Sequence, residues 1–294
     1  MTRYTAVLLM TGGMACYALN DALVKAVAAE LPTGQLLALR GAIACLVLGT
    51  LARATRPPGQ RIDRPADPTP WLSPMLAWRC ILEVSTAGFS VLALAHAPLA
   101  TVAAIMMSAP LLVVLCAFLL RWEPWHGHRL VAAVGGLLGV VLVLQPGSVG
   151  SGSGWGVVAA CLCALSLAGR DLATRQLPAD LPSAGVAALA TAAVCIGGIV
   201  LGTIETWQSP RVAVMGLVAA AALCAALGNL ALVSACRGAS LSLVAPFRYS
   251  FIVWASALGF LGWREVPGHW QITGMLLIVA GGALGMRGTG GTRG

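Results

Sequence analysis

Charged residues are scarce in this sequence. Of its 294 residues, only 10% are Asp, Glu, Lys or Arg, whereas soluble domains carry roughly 25%. This shortage excludes a soluble globular domain as the main body of the protein. The chain is instead 59% hydrophobic, with a mean hydropathy of +0.88, which is typical of an integral membrane protein.

Enzyme motifs are lacking as well. The sequence contains no HExxH, P-loop or GxSxG segment. Gly154-x-Gly156-x-x-Ala159 has the spacing of a dinucleotide-binding fingerprint, but no strand precedes it and an apolar run follows it, so the required context is missing. We therefore predict that the protein is not an enzyme and binds no cofactor. Residues 146–154 are predicted to be a flexible linker.

A recognisable set of metal ligands is also missing. All nine cysteines lie in or beside apolar runs, where cysteine behaves as a small packing residue. Only Cys161 and Cys163 are close together, and a spacing of two places them on different faces of a helix. We predict no metal site.

Long apolar runs dominate what is present. Runs of about 18 or more apolar residues are long enough to cross a bilayer as helices, and the alternation of a membrane β-barrel is not visible. The sequence predicts an all-α membrane protein with ten transmembrane helices. The predicted spans are residues 5–27, 33–51, 74–95, 99–120, 129–145, 155–176, 183–203, 211–235, 240–262 and 268–286.

The net charge of +8 would suggest a nucleic-acid partner in a soluble protein, but here its distribution indicates topology. Arg53, Arg56, Arg61 and Arg64 all lie in the connection after span 2. The positive-inside rule places such a connection in the cytoplasm, and with ten spans both termini are then cytoplasmic. We predict a multi-pass protein of the cell inner membrane. Its expected partners are the lipid bilayer and a small-molecule substrate, with no nucleic acid.

One stretch of the sequence occurs twice. Asn20-Asp21-Ala22-Leu23-Val24-Lys25 matches Arg170-Asp171-Leu172-Ala173-Thr174-Arg175 at an offset of 150 residues, and further on Glu123 matches Glu265 at an offset of 142. Such self-similarity indicates a duplicated unit. We predict two repeats, residues 5–145 and 155–287, with five spans each. Because five is odd, the second repeat must enter the membrane from the opposite side, as in the inverted repeats of many secondary transporters.

These features together resemble the EamA family of the drug/metabolite transporter superfamily. The resemblance rests on the ten spans, on the Asp-x-x-x-Lys/Arg stretch that ends the first helix of each half, and on the turn Trp263-Arg264-Glu265-Val266-Pro267 before the last helix. It implies the fold just described and a transport function. The family includes exporters of amino acids and of opine-type metallophores, and importers of riboflavin and S-adenosylmethionine.

Two arginines are the main candidates for substrate binding. Arg40 lies seven residues into span 2, about 10 Å deep at 1.5 Å per residue, and Arg248 is similarly deep in span 9. The repeat alignment places Ala190 and Met106 at their equivalent positions. Arginine suits carboxylate or phosphate groups, so we predict an anionic or zwitterionic substrate, with support from Arg79 and Tyr249. The alternative is that each arginine pairs with a distant acid such as Asp21 or Glu83.

Three acid–base pairs have the i, i+4 spacing of neighbours on a helix face. They are Asp21 with Lys25, Arg79 with Glu83, and Asp171 with Arg175. One interpretation is mutual neutralisation near a helix end. The other is that Asp21, Lys25, Glu83, Asp171 and Arg175 serve gating or coupling.

Pairs of glycines spaced by four residues allow close approach of helices. Gly135 with Gly139 in span 5 and Gly281 with Gly285 in span 10 have this spacing. Because these spans correspond in the two repeats, we expect them to pack together within the chain. A homodimer through the same faces is the alternative.

The resulting hypothesis is an inner-membrane secondary transporter that works by alternating access and exports an amino-acid-like or opine-type metabolite. Import of riboflavin or of a nucleotide-like metabolite such as S-adenosylmethionine is the first alternative. A membrane-embedded binding or assembly protein that transports nothing is an alternative of another class. Direction, driving ion and oligomeric state do not follow from these residues.

Overall fold

The structure is a computed structural model that describes residues 3–54, 73–119, 127–144, 154–178, 181, 183–238 and 244–287. Helices make up nearly all of these residues. The first repeat holds α1 (Arg3–Ala28), α2 (Thr33–Ala54), α3 (Pro74–His96), α4 (Leu99–Met106), α5 (Ala109–Leu119) and α6 (Gly127–Val143). The second holds α7 (Gly154–Arg175), α8 (Ser183–Gly202), α9 (Val212–Gly238), a 3₁₀-helix (Ala245–Tyr249), α10 (Ser250–Trp263) and α11 (His269–Arg287).

These elements correspond to the ten predicted spans, which confirms the predicted all-helical membrane fold. Spans 4 and 9 are each built from two elements, α4 with α5 and the 3₁₀-helix with α10. Six stretches of the described chain are long and apolar enough to cross a membrane: 4–28, 74–96, 99–116, 154–174, 185–202 and 212–232. Many large apolar side chains point outward from the bundle, such as Leu46, Val131 and Leu138. In a bilayer these side chains contact lipid.

Helix pairing follows the repeat. α1 packs on α9, and the equivalent helices α7 and α3 pack on each other. The remaining large contacts join equivalent helices, α2 with α8 and α6 with α11. Along α2 and α8, Gly34 approaches Gly202 while Gly41 approaches Cys195, so the two helices run antiparallel. Equivalent helices that run antiparallel are what an inverted repeat requires.

The α2–α8 crossing depends on small residues that the sequence analysis did not single out. A Cβ built on Gly34 would lie 2.5 Å from the backbone nitrogen of Gly202. The chain that follows α8 then closes over the start of α2. The side chain of Gln35 donates to the carbonyl of Gln208 (2.6 Å) and accepts from its backbone N–H (2.9 Å). Both polar groups of this buried amide are therefore satisfied.

The α6–α11 crossing uses glycines, as predicted for spans 5 and 10. A Cβ built on Gly139 would lie 2.5 Å from the carbonyl oxygen of Gly274, and one on Gly281 would lie 2.5 Å from that of Ala132. Gly135, however, has open space where its Cβ would be. The prediction that Gly135 takes part in this helix contact is therefore wrong. The side chain position of Gly285 lies outside the described residues. Gly139 and Gly281 are thus buried between two helices of one chain, as expected for packing within the chain.

Candidate functional site

Each repeat breaks one of its spans at the same place. In span 4 the break falls at Met107 and Ser108, and the Ser108 hydroxyl donates to the carbonyl of Ile105 (2.6 Å). In span 9 the 3₁₀-helix gives way to α10 at Ser250, whose hydroxyl donates to the carbonyl of Phe247 (2.7 Å). These serines are 142 residues apart, the offset of the repeat. Each hydroxyl is a second donor to a carbonyl that already accepts a backbone N–H, that of Ser108 (3.0 Å) in span 4 and that of Ser250 in span 9. The two carbonyls at the breaks are therefore hydrogen-bonded within the protein, as a break inside a membrane protein requires.

The side chains at the two breaks differ. Met106 and Met107 are apolar neighbours of the core in the first repeat, whereas Arg248 and Tyr249 occupy the equivalent positions in the second. One backbone arrangement thus carries two apolar side chains in one half and a cation with a phenol in the other. A site built at these breaks is asymmetric despite the symmetric fold.

Charged groups from four elements gather around Tyr17 of α1. Its hydroxyl interacts electrostatically with Arg248 of the 3₁₀-helix, Arg170 of α7, Arg40 of α2 and Asp21 of α1. A Cβ built on Gly228 of α9 would lie 3.2 Å from the Tyr17 ring, so the ring packs against α9. We call Tyr17, Asp21, Arg40, Arg170 and Arg248 the central cluster. Arg40 and Arg248, the two arginines predicted to bind substrate, thus both act on Tyr17.

Arg40 and Arg248 have charges that no acid neutralises directly. Each is half-buried, and within the described residues neither makes an ion pair or a hydrogen bond. Arg40 feels Asp21 and Tyr17 electrostatically, but Asp21 lies beyond ion-pair distance. The predicted alternative, a structural pair with Asp21 or Glu83, is therefore not formed in this conformation. An arginine within a span costs about 3 kcal/mol or more, so two of them without partners favour an anionic ligand.

The α3–α7 interface holds the other charges in a network. Arg79 pairs with Glu83 (3.3 Å) as its spacing predicted, and Arg170 pairs with the other oxygen of Glu83 (3.2 Å). Arg170 also contacts Asp171 (2.8 Å). Arg79 Nε donates to Thr174 (3.0 Å), while its Nη1 is buried and has no partner among the described residues. Arg79 and Glu83 thus join α3 to α7.

Two predicted pairings need revision. Lys25 does not pair with Asp21 but with Glu265 (2.8 Å), and it also donates to the carbonyl of Ala97. Asp21 instead accepts a hydrogen bond from Asn20 (2.8 Å). Asp171 contacts its neighbour Arg170. The side chain of Arg175, its expected partner, lies outside the described residues.

The geometry of the turn before α11 explains why Lys25 pairs with Glu265. Arg264 adopts a left-handed backbone conformation (φ 57°), which is uncommon for a residue other than glycine and reverses the chain after α10. Glu265 is thereby directed at the end of α1, where it also accepts from the backbone N–H of Leu99 (2.7 Å). Trp263 lies 5.4 Å from the Lys25 ammonium, within cation–π range. The Lys25–Glu265 contact therefore links both repeats at one end of the bundle.

Comparison with known proteins identifies the family. The model of the EamA-like transporter family matches residues 4–145 and again residues 154–286. The chain belongs to the EamA-like transporter family. As a member of that family it is a multi-pass membrane transporter and not an enzyme.

Individual relatives of this EamA transporter agree with the assignment. The pseudopaline exporter CntI of Pseudomonas aeruginosa strain UCBPP-PA14 is 29% identical over 265 residues, covering 90% of this chain and 89% of the relative. The same exporter from strain PAO1 matches equally. A solved crystal structure matches over 96% of both chains with a TM-score of 0.63 at 21% identity. At that identity, the structural likeness shows the fold alone.

The surroundings of Tyr249 in this EamA transporter differ from those of Arg40 and Arg248. It is buried, and its phenol fills the space where a Cβ on Gly282 of α11 would be. The ring therefore packs between the 3₁₀-helix and α11, next to Arg248. Its predicted role in substrate binding stays a prediction, and packing accounts for its contacts.

Three residues of this candidate site were not predicted from the sequence as site residues. Tyr17 lies at the middle of the central cluster, Arg170 joins that cluster to the α3–α7 network, and Glu265 is the partner of Lys25. Arg170 and Glu265 stand in repeated motifs, which was a usable signal. Tyr17 carried no such signal, because only the folded bundle brings the four charges around it.

Proposed function

We propose that this EamA transporter exports small anionic or zwitterionic metabolites, amino-acid-like or opine-type, by alternating access. The observation that carries the proposal is that Arg40 and Arg248 are both half-buried and within electrostatic range of Tyr17, with no acid in ion-pair contact among the described residues. A guanidinium presents a planar set of donors that matches a carboxylate. A substrate carboxylate would supply the missing partner. The relative named as a pseudopaline exporter supports an opine-type substrate and the outward direction.

The central cluster also suits a zwitterion. Asp21 is the acid of the cluster that no cation contacts within ion-pair distance among the described residues, and it lies within electrostatic range of Arg40. A substrate that carries both carboxylate and ammonium groups would meet complementary charges there. Tyr17 offers a hydroxyl among these charges that can donate or accept. We assign substrate binding to Arg40 and Arg248, with Tyr17 and Arg79 in support.

The remaining charged contacts suit a conformational role. Lys25 and Glu265 join the two repeats at one end of the bundle, so that end cannot open while the contact lasts. We assign gating to this pair. Glu83 and Asp171 share Arg170 at the α3–α7 interface, and we assign them to holding that interface. A gating role for Arg175 rests on its match to Lys25 in the repeat.

We further propose that the protein lies in the cell inner membrane with both termini in the cytoplasm, because the arginine-rich connection after span 2 is then cytoplasmic. This orientation places the Lys25–Glu265 contact at the periplasmic end. Loss of that contact would open the central cluster to the periplasm, as release of an exported substrate requires.

The test compares metabolites inside and outside cells that contain the protein, lack it, or carry a variant. Arg40→Ala and Arg248→Met introduce the residues found at the equivalent positions of the other repeat. Loss of one charge-assisted interaction, worth about 1.5–3 kcal/mol, should lower export roughly 10-fold or more. Arg211→Ala, which removes an exposed charge on the loop before α9, is the control and should export normally. A metabolite that accumulates outside only with the intact protein or the control supports the proposal.

Two outcomes would contradict it. If both arginine variants, present in the membrane in normal amounts, export as well as the wild type, the assignment of the site fails. If a metabolite is gained inside the cell, the direction is import.

A further inference from the structure

One carboxylate is matched between the two repeats but has a different hydrogen-bond partner in each. Asp21 and Asp171 are equivalent in the repeat, and each accepts a hydrogen bond on Oδ1 from the residue just before it. That residue is Asn20 in the first repeat (2.8 Å) and Arg170 in the second (2.8 and 3.1 Å). One substitution between otherwise similar motifs therefore changes the partner of the acid from a neutral amide to a cation.

These two partners differ in which protonation states they can serve. A guanidinium has donors only, whereas an amide has both donors and an acceptor. Arg170, also held by Glu83 (3.2 Å), favours Asp171 as a carboxylate, because protonation would end the ion pair and a guanidinium has no acceptor for the carboxyl O–H. Asn20 can donate to an ionised Asp21 through Nδ2. After rotation of its amide it can accept from a protonated Asp21 through Oδ1.

The surroundings of Asn20 leave that rotation open. Asn20 is 2% exposed, and its Oδ1 is buried with no hydrogen-bond partner among the described residues. A buried acceptor without a partner is costly, so the orientation seen here leaves one group unsatisfied that a protonated Asp21 would satisfy. Nothing else in the described structure holds the amide in place.

The groups that act on Asp21 allow both states as well. From the packed helices these are Arg40 of α2 and Cys163 of α7, and on α1 itself Asn20 and Tyr17. Arg40 favours the ionised acid but forms no ion pair with it. Lys25, one turn further along α1, is engaged by Glu265. Asp21 thus lies near cations without being fixed by any of them.

We infer that Asp21, with Asn20 as its rotating partner, is the site where this transporter binds the proton that drives transport. The proton adds to the carboxylate on one side of the membrane and leaves it on the other. Substrate binding at Arg40 and Arg248 alternates with it, so the inference rests on the proposed function. A metal cation fits less well, because hard cations such as Ca²⁺ and Mg²⁺ take about six or more oxygen ligands and the described residues contain no group of three or more His, Cys, Asp or Glu side chains that could hold one.

Proton binding can be measured without knowing the substrate. The chain has five aspartates, at 21, 63, 67, 171 and 180, so carboxyl ¹³C signals of aspartate-labelled protein form a small set. Asp21→Asn identifies the signal of interest. Asn20→Arg copies the second repeat. A cation in contact with a carboxylate favours its ionised form by roughly 1–3 pH units, so the midpoint of the Asp21 signal should fall by that amount.

The matched control reverses the exchange. Arg170→Asn should raise the midpoint of the Asp171 signal by more than that of the Asp21 signal, because Arg170 hydrogen-bonds Asp171 directly and makes no such contact with Asp21. An Asp21 signal that does not shift in Asn20→Arg, although the variant folds and Asp171 responds to its own change, would overturn the inference.

Transport in proteoliposomes supplies the second readout, with the metabolite found in the export test as the probe. A pH gradient should drive its accumulation at least 10-fold in the wild type, and Asn20→Arg and Asp21→Asn should abolish that drive. Export in cells together with a full pH drive in Asn20→Arg, or a drive by Na⁺ alone, overturns the inference and leaves the proposed function standing. A shifted Asp21 signal with no exported metabolite means that the proposed function has failed while proton binding holds.

Discussion

The contact between Lys25 and Glu265 permits a quantitative test of gating. Their side chains are 11% and 17% exposed, and the ion pair measures 2.8 Å. Glu265→Gln preserves the size of the side chain and an acceptor for the Leu99 N–H, but removes the charge opposite Lys25. Removing one partner of a buried pair typically costs about 3–5 kcal/mol. Because water reaches this end of the bundle when it opens, we expect the lower figure.

That energy acts on the conformational equilibrium only if the contact differs between conformations. If it exists only when this end is closed, a loss of about 3 kcal/mol shifts the balance toward the open conformation by roughly 150-fold. A conformation populated at about 1% would then become the majority. If the contact persists in both conformations, the variant loses stability but the balance stays where it was.

Distances between spin labels distinguish these cases. Ala95→Cys, near the end of α3, and Val266→Cys, on the turn before α11, are exposed sites on either side of the contact. They are introduced into a background from which the nine native cysteines have been removed. Glu265→Gln should add a population at longer distance. The control is Glu30→Gln, an exposed carboxylate at the same end, which should leave the distribution unchanged.

Reversal of both charges sharpens the test. In Lys25→Glu with Glu265→Lys the attraction returns, but the Ala97 carbonyl loses its donor and the Leu99 N–H its acceptor. The closed population should therefore recover only in part. The reasoning is refuted if Glu265→Gln has the distance distribution of the wild type while its melting temperature falls.

Two further predictions concern helix packing. Gly139→Ala should lower thermal stability in detergent by about 1–3 kcal/mol, the usual cost of overpacking, because its Cβ would meet the Gly274 carbonyl at 2.5 Å; Gly135→Ala, with open space at its Cβ, should be neutral or slightly stabilising, and equal losses would contradict the packing described. Gln35→Leu should cost about 1–3 kcal/mol, because it leaves the backbone of Gln208 without its two partners; an unchanged melting temperature would show that water replaces them.

Hydropathy and the repeat were sufficient to predict the spans and the two halves. Apolar runs are a local property, and an offset that holds over many residues needs no structure to be seen. The breaks in spans 4 and 9 were less accessible. Each of these spans contains a proline, Pro110 and Pro246. The structure places the irregular backbone before Pro110, at Met107–Ser108, but around Pro246, in the 3₁₀-helix Ala245–Tyr249. The position of a proline in the sequence therefore does not predict which residues leave the regular helix.

Sequence spacing could not predict which acid a basic side chain pairs with. Lys25 has an acid four residues before it and another 240 residues after it in the chain, and it pairs with the distant one. The decision depends on the left-handed turn at Arg264, which only the folded chain reveals. The glycine motif shows the same limit. The spacing selected Gly135 and Gly139 together, but the rotation of α6 about its axis directs only Gly139 at α11.

The charges of the two repeats account for a difference in energy between the outward-open and inward-open conformations that the backbone alone cannot supply. Two inverted halves with identical side chains would give conformations open to either side at equal energy. Here the two halves differ at three matched positions. The first repeat has Arg40 and Asn20 where the second has Ala190 and Arg170, and the second has Arg248 where the first has Met106. The unpaired arginines come one from each half, so a substrate bound to both holds the halves together. The proton site proposed above, Asp21, comes from the first half alone. If a proton there stabilises one conformation more than the other, it supplies the differential interaction that driven transport requires.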